Sequence, residues 1–177
     1  MPSLAARTIR RHGLIAGAIL SAAMLATLPW IDAIGFDRGA LVGYAGMVLA
    51  FLMVFFGVRA WRDGLRASQP DRRVRFWPAF GVGAGIAAVG SVCYALTWQV
   101  VQRLWLPDFA ERYAAYAVGK ARAAGASAEQ LAALTRDMAD FARLYENPLV
   151  NIGFSLLEPL PIGLLFAGVS AWWFSRR

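Results

Sequence analysis

Apolar residues run along this chain in long blocks, and the blocks fix the first reading. Three windows contain no Asp, Glu, Lys or Arg: Gly13 to Ile31, Gly39 to Val58, and Ala79 to about Gln102. A fourth, about Leu149 to Phe174, is mostly apolar and holds one ionisable residue, Glu158. A helix needs about 20 predominantly apolar residues to cross a bilayer. The pattern therefore predicts an all-α integral membrane bundle of four transmembrane helices (about 13–31, 39–58, 79–102 and 149–174), with 1–177 as a single membrane domain.

Between the third and fourth blocks the pattern changes period. Leu131, Leu134, Met138, Phe141 and Tyr145 recur at spacings of three and four, one apolar stripe on a helix. Ser127 with Gln130 reads as a capping box, as does Asp108 with Glu111 upstream. Gly125 interrupts, and Asn147-Pro148 ends the segment. The region about 107–147 is thus expected to be an extramembrane amphipathic helical hairpin.

Composition agrees with the spans. The chain has 177 residues, 59% hydrophobic and only 16% charged, against about 25% charged in average soluble domains. There is too little polar surface to cover a water-soluble globule. The net charge of +7 could suggest nucleic acid, but its placement argues otherwise. Arg7, Arg10 and Arg11 precede the first block, and Arg59, Arg62, Arg66, Arg72, Arg73 and Arg75 join the second to the third. Arg176 and Arg177 close the chain, whereas the 106–148 connection holds five basic and six acidic residues. By the positive-inside rule both termini and the arginine-rich loop face the cytoplasm and the hairpin faces outside. A retained first helix is favoured over a cleaved signal, whose apolar region would be about 7–15 residues. Trp30 and Trp105 fall at the expected outer ends; Trp61, Trp77, Trp172 and Trp173 fall at the inner ends, where indoles favour headgroups.

Three stretches, GYAGMVLAFLMVFFGVRAWRD, LPDFAERYAAYAVGKARAAGAS and NPLVNIGFSLLEPLPIGL, together resemble the bacterial membrane family known as domain of unknown function 4199. The likeness runs over nearly the whole chain, from about Gly13 to Trp173. It implies a four-helix integral membrane protein of bacteria, and the bacterial inner membrane is the expected location. It implies no activity, cofactor or catalytic residue.

Glu158 is the residue that stands out. It is nine positions into the fourth block, about 14 Å along a helix, near the middle of a roughly 30 Å core. An ionised carboxylate there is costly, so it should be protonated, paired or water-exposed. Pro159 and Pro161 follow it, and neither has a backbone N–H. The carbonyls near Phe154, Ser155 and Leu157 should then lack helix partners, giving a broken helix with Pro159 opening its second half. Tyr44, Ser91 and Tyr94 are candidate partners at similar depth. Small-residue pairs Gly39/Gly43 and Gly81/Gly85 suggest close helix packing.

Enzyme chemistry is poorly supplied. The single histidine, His12, sits at the cytoplasmic edge beside Arg11, and the single cysteine, Cys93, lies inside the third block. No His/Cys cluster has metal-ligand spacing, so neither cofactor nor metal is expected. The leading expectation is a non-catalytic scaffold, whose partners are the bilayer and a protein bound through the hairpin or the arginine-rich loop, not nucleic acid. The rival is a small transporter, channel or ligand-binding protein using Glu158. A water-accessible cavity reaching Glu158 would favour the rival.

Overall fold

The computed structural model describes residues 3–71 and 73–176. Two of the arginines in the charge argument, Arg72 and Arg177, lie outside the described residues. Every regular element among the described residues is helical: α1 (Leu4–Thr27), a 3-10 turn (Leu28–Trp30), α2 (Ile31–Ser68), α3 (Phe76–Trp105), α4 (Phe109–Ala123), α5 (Ala128–Tyr145), α6 (Pro148–Leu157) and α7 (Pro159–Ser175). Three helical stretches are long and apolar enough to cross a membrane: Leu4–Ser68, Phe76–Trp105 and Pro148–Ser175. The first contains both α1 and α2, which pack side by side after the 3-10 turn reverses the chain.

α3 is the central helix and packs on α1, α2, α6 and α7. The backbones approach at glycine. A Cβ at Gly83 would lie 2.8 Å from the Ala167 Cβ, and one at Gly17 would lie 2.5 Å from the Cys93 Cβ. Small residues let helices close to van der Waals contact where apolar burial gives no drive for association. Around these contacts Phe51, Val54, Val58 and Ile86 are fully buried. Ser21 adds a 2.7 Å hydroxyl contact to Thr97 between α1 and α3.

Several expectations are corrected here. The Gly39/Gly43 and Gly81/Gly85 pairs are not packing sites as pairs. A Cβ at Gly43 or Gly81 meets nothing, and one at Gly39 touches only Ile34 at 3.9 Å, although Gly85 does meet Ile9. Trp61, expected at an inner end, packs into the bundle rather than facing outward. α2 runs on to Ser68, and Trp61 follows Val54 and Val58 on its core face, at helical spacing. Asp108 occupies the N-cap of α4 but makes no side-chain cap bond, because its backbone (φ −93, ψ 13) is not extended as a cap requires. The connection expected after the first apolar block is mostly helical.

Other local signals act as the residues dictate. Ser127 accepts from the Gln130 N–H at 3.2 Å while the Gln130 side chain accepts from the Ser127 N–H at 2.8 Å, a complete capping box. Gly125 turns the chain at φ +83, a left-handed conformation that costs glycine little. α4 and α5 accordingly lie against each other. Gly35, at φ 69, breaks the start of α2. Beyond it Phe36 inserts among Phe109, Tyr113 and Tyr116 of α4, with ring centroids 5.9, 5.5 and 4.9 Å away.

Candidate functional site: a cleft that ends at Glu158

The bend between α6 and α7 positions the site. Asn147 caps α6 through its side chain, accepting from the Leu149 N–H at 3.0 Å. Pro148 takes the first helical position, where a missing N–H costs nothing. α6 stops at Leu157 and α7 starts at Pro159, with Glu158 between them in αR conformation (φ −73, ψ −58). The chain is therefore bent, not unwound. The Phe154 carbonyl keeps its partner, the Glu158 N–H, at 3.3 Å, contrary to expectation. The carbonyls of Ser155 and Leu157 are the ones that face proline nitrogens. Pro159 is fully buried.

The bend separates two packing regimes. α7 packs along both α2 and α3, whereas α6 packs on α3 and α5 but not along α2. A gap opens between α2 and α6 on the side where α4 and α5 lie. It is a cleft of about 1060 Å³. Its far end is formed by Leu20, Met47, Tyr94 and Glu158, and α4 covers its other end. Gly39, Gly43 and Gly46 form part of the α2 wall, with open space at Gly43 and an ordinary contact to Ala23 at Gly46. On the other wall are Trp98, Phe109, Tyr145 and Phe154.

The structure brings together two of the four residues singled out around the carboxyl. The Tyr94 hydroxyl donates to Glu158 Oε2 at 2.8 Å. Tyr44 is half-exposed and makes no hydrogen bond to Glu158, and it does not line the cleft. Ser91 is fully buried and also off the cleft, and its Oγ has no hydrogen-bond partner. Glu158 itself is exposed toward the cleft.

A polar network beside the cleft escaped the sequence reading. Asn151, 1% exposed, accepts from Gln99 Nε2 at 2.6 Å and donates to Gln102 Oε1 at 2.6 Å. Ser155 Oγ donates to the Asn151 carbonyl at 2.8 Å. Trp98 Nε1 donates to the Tyr145 hydroxyl at 2.8 Å. These bonds tie α3, α5 and α6 into one block. Buried polar groups satisfied in this way rigidify a site. The one available signal was spacing, Gln99 with Gln102 and Asn151 with Ser155, which places each pair on one helix face. Burial pushes the Tyr145 hydroxyl up to about 12 from an ordinary value of 10.0.

The covering helix α4 is joined to the start of α2 by charge. Arg112 pairs with Asp32, and Lys120 Nζ pairs with Asp37 Oδ1 at 2.6 Å. The Lys120 bond holds the Asp37 carboxyl below its usual range and raises the lysine. His12 and Cys93 lie away from the cleft. His12 Nδ1 contacts the Thr8 carbonyl at 3.1 Å, and Cys93 packs on Gly17. Among the described residues no group of three or more His, Cys, Asp or Glu side chains gathers as metal ligands would.

The profile of one family, described as a protein of unknown function (DUF4199), matches residues 11–176. The chain belongs to that family. The match covers every helix of the cleft, from most of α1 to the end of α7. No curated protein and no solved structure matches. The family carries no assigned role, so the geometry of the cleft is the basis for a functional reading.

Proposed function

We propose that this is a non-catalytic ligand-binding protein of the bacterial inner membrane, in which a small, largely apolar molecule occupies the cleft between α2 and α6. α1, α2, α3 and the bent pair α6–α7 are the four spans. The α4–α5 hairpin lies outside as the cover of the cleft, and the termini and the arginine-rich loop lie in the cytoplasm. The observation that carries this reading is the cleft of about 1060 Å³ reaching Glu158. A scaffold would need no such space, and a carboxyl that served only to support the bend would be packed. Ligand sites are typically concave, about 300–1,000 Å³, mostly apolar, with few polar groups. The walls here fit that description. The α2 wall is lined by glycines, with open space at Gly43, and the opposite wall is aromatic.

An uncharged aryl diazirine tests the reading. Photolabelling of the detergent-solubilised protein should be saturable and should map to Met47, Trp98 and Phe154. Gly43→Trp, which fills open space on the cleft wall, should abolish that labelling. Non-saturable labelling spread equally over exposed Leu49 and Leu165, and unchanged by Gly43→Trp, would defeat it.

A further inference from the structure

We infer that the ligand of this cleft is a lipophilic monocation, bound with its positive centre at Glu158 and its apolar body along the aromatic wall. The inference rests on the ligand-binding reading above and adds the charge class of the ligand.

Charge balance inside the cleft carries it. Five fully ionisable acid or base side chains line the space: Asp32, Asp37 and Glu158 are acidic, Arg112 and Lys120 basic. Arg112 is paired with Asp32 and Lys120 with Asp37. Both pairs lie at the covered end, where α4 meets α2. Glu158 is left over at the opposite end. Among the described residues no Lys, Arg or His is ion-paired with it, and its protein partner is the neutral Tyr94 hydroxyl. One hydrogen bond uses one of the roughly four acceptor positions of a carboxylate. A carboxylate in low-dielectric surroundings favours a cation far more than water does. The cleft therefore holds one carboxyl without a basic partner, and a bound cation of single charge would stabilise its ionised form.

The walls fix the rest of the ligand. Trp98 and Phe109 meet edge to face at 4.8 Å, Phe109 lies 6.0 Å from Tyr145, and Tyr145 lies 6.3 Å from Phe154. All four line the cleft. Ring faces attract cations that have lost water, and aromatic enclosures recognise alkylated ammonium groups in this way. A strongly hydrated cation such as Na⁺ would have to give up its water to a largely apolar lining in which Glu158 is the one carboxylate without a basic partner. An anion would meet Glu158 with no free base. A lipophilic ammonium or phosphonium compound gains from the carboxylate, the rings and the apolar glycine wall together.

The test uses tetraphenylphosphonium and tetraphenylborate, ions of nearly the same shape and opposite charge. Equilibrium dialysis of the full chain in maltoside detergent should show saturable binding of about one phosphonium per chain, since one carboxylate is unpaired. Glu158→Gln should weaken it by about tenfold or more, the equivalent of about 1.4 kcal/mol. Tetraphenylborate, dialysed alone, should show no saturable binding. The uncharged diazirine should still label Glu158→Gln saturably, showing that the variant is folded. Equal phosphonium binding by parent and Glu158→Gln, saturable binding of the borate, or no phosphonium binding would overturn the inference. If the diazirine stays saturable and sensitive to Gly43→Trp in those cases, the cleft reading survives without the charge class. If the diazirine is insensitive to Gly43→Trp, the cleft reading fails as well.

Discussion

Tyr94 of α3 and Glu158 at the α6–α7 bend are joined by a 2.8 Å hydrogen bond across 64 residues of sequence. The bond ties the point where the last helix changes direction to the central helix of the bundle. Tyr94→Phe removes the donor and should lower stability by about 0.5–1.5 kcal/mol, the net worth of a typical hydrogen bond. Glu158→Gln keeps an acceptor oxygen and should cost less than Glu158→Leu. The Tyr94→Phe/Glu158→Leu pair should be non-additive in thermal unfolding in detergent, because both changes break one bond. Strict additivity would mean that the two side chains do not meet.

The glycines separate packing from open space. Gly83→Val should destabilise by about 1–3 kcal/mol through overpacking, since even a Cβ there would lie 2.8 Å from Ala167 and 3.2 Å from Val54. Gly43→Ala meets nothing and should be neutral or slightly stabilising, because alanine is favoured over glycine inside a helix by about 1 kcal/mol. Melting temperatures of the two variants check this. Equal losses would place Gly43 in a packed interface.

Alkaline unfolding tests the burial of Tyr145. Its hydroxyl is raised from 10.0 to about 12 in the folded chain, first by burial. The unfolded chain thus loses this proton at lower pH than the folded one. The stabilising contribution is complete below pH 10 and is lost as pH rises toward about 12. Tyr145→Phe removes that titration. Between pH 9 and pH 11.5 the parent should lose more stability than Tyr145→Phe in detergent melts. Parallel pH profiles would show a solvated hydroxyl.

How much of this could be read from the chain depends on what each signal reports. Long apolar blocks report the solvent around a helix, so the helices of the bundle were legible, as was the α5 stripe. The same blocks do not report which face of a helix meets which neighbour. Gly39 and Gly43 therefore looked like a packing pair, although they border the cleft, and the close approaches at Gly17, Gly83 and Gly163 passed without notice. The burial of Trp61 was not legible for the same reason: an indole suits a headgroup level and a core alike. Glu158 and Pro159 were conspicuous because a charge and a missing N–H are anomalies within an apolar run. Asn151, Gln99 and Gln102 were not, since each is unremarkable until the fold sets them 2.6 Å apart. The cleft itself had no sequence signature. It arises because α6 leaves α2 at the bend, a relation between three helices.

Spin-label distances test the central claim, that the bend at Glu158–Pro159 parts α6 from α2 and leaves the cleft open. In a Cys93→Ala background, one pair of labels at Leu52 and Leu165 reports α2 to α7, and a second at Val42 and Gly153 reports α2 to α6. The account predicts a clearly longer distance for the second pair. It also predicts that replacing Pro159 and Pro161 by alanine shortens the second distance and leaves the first unchanged. Equal distances for the two pairs, unaffected by loss of the prolines, would contradict it.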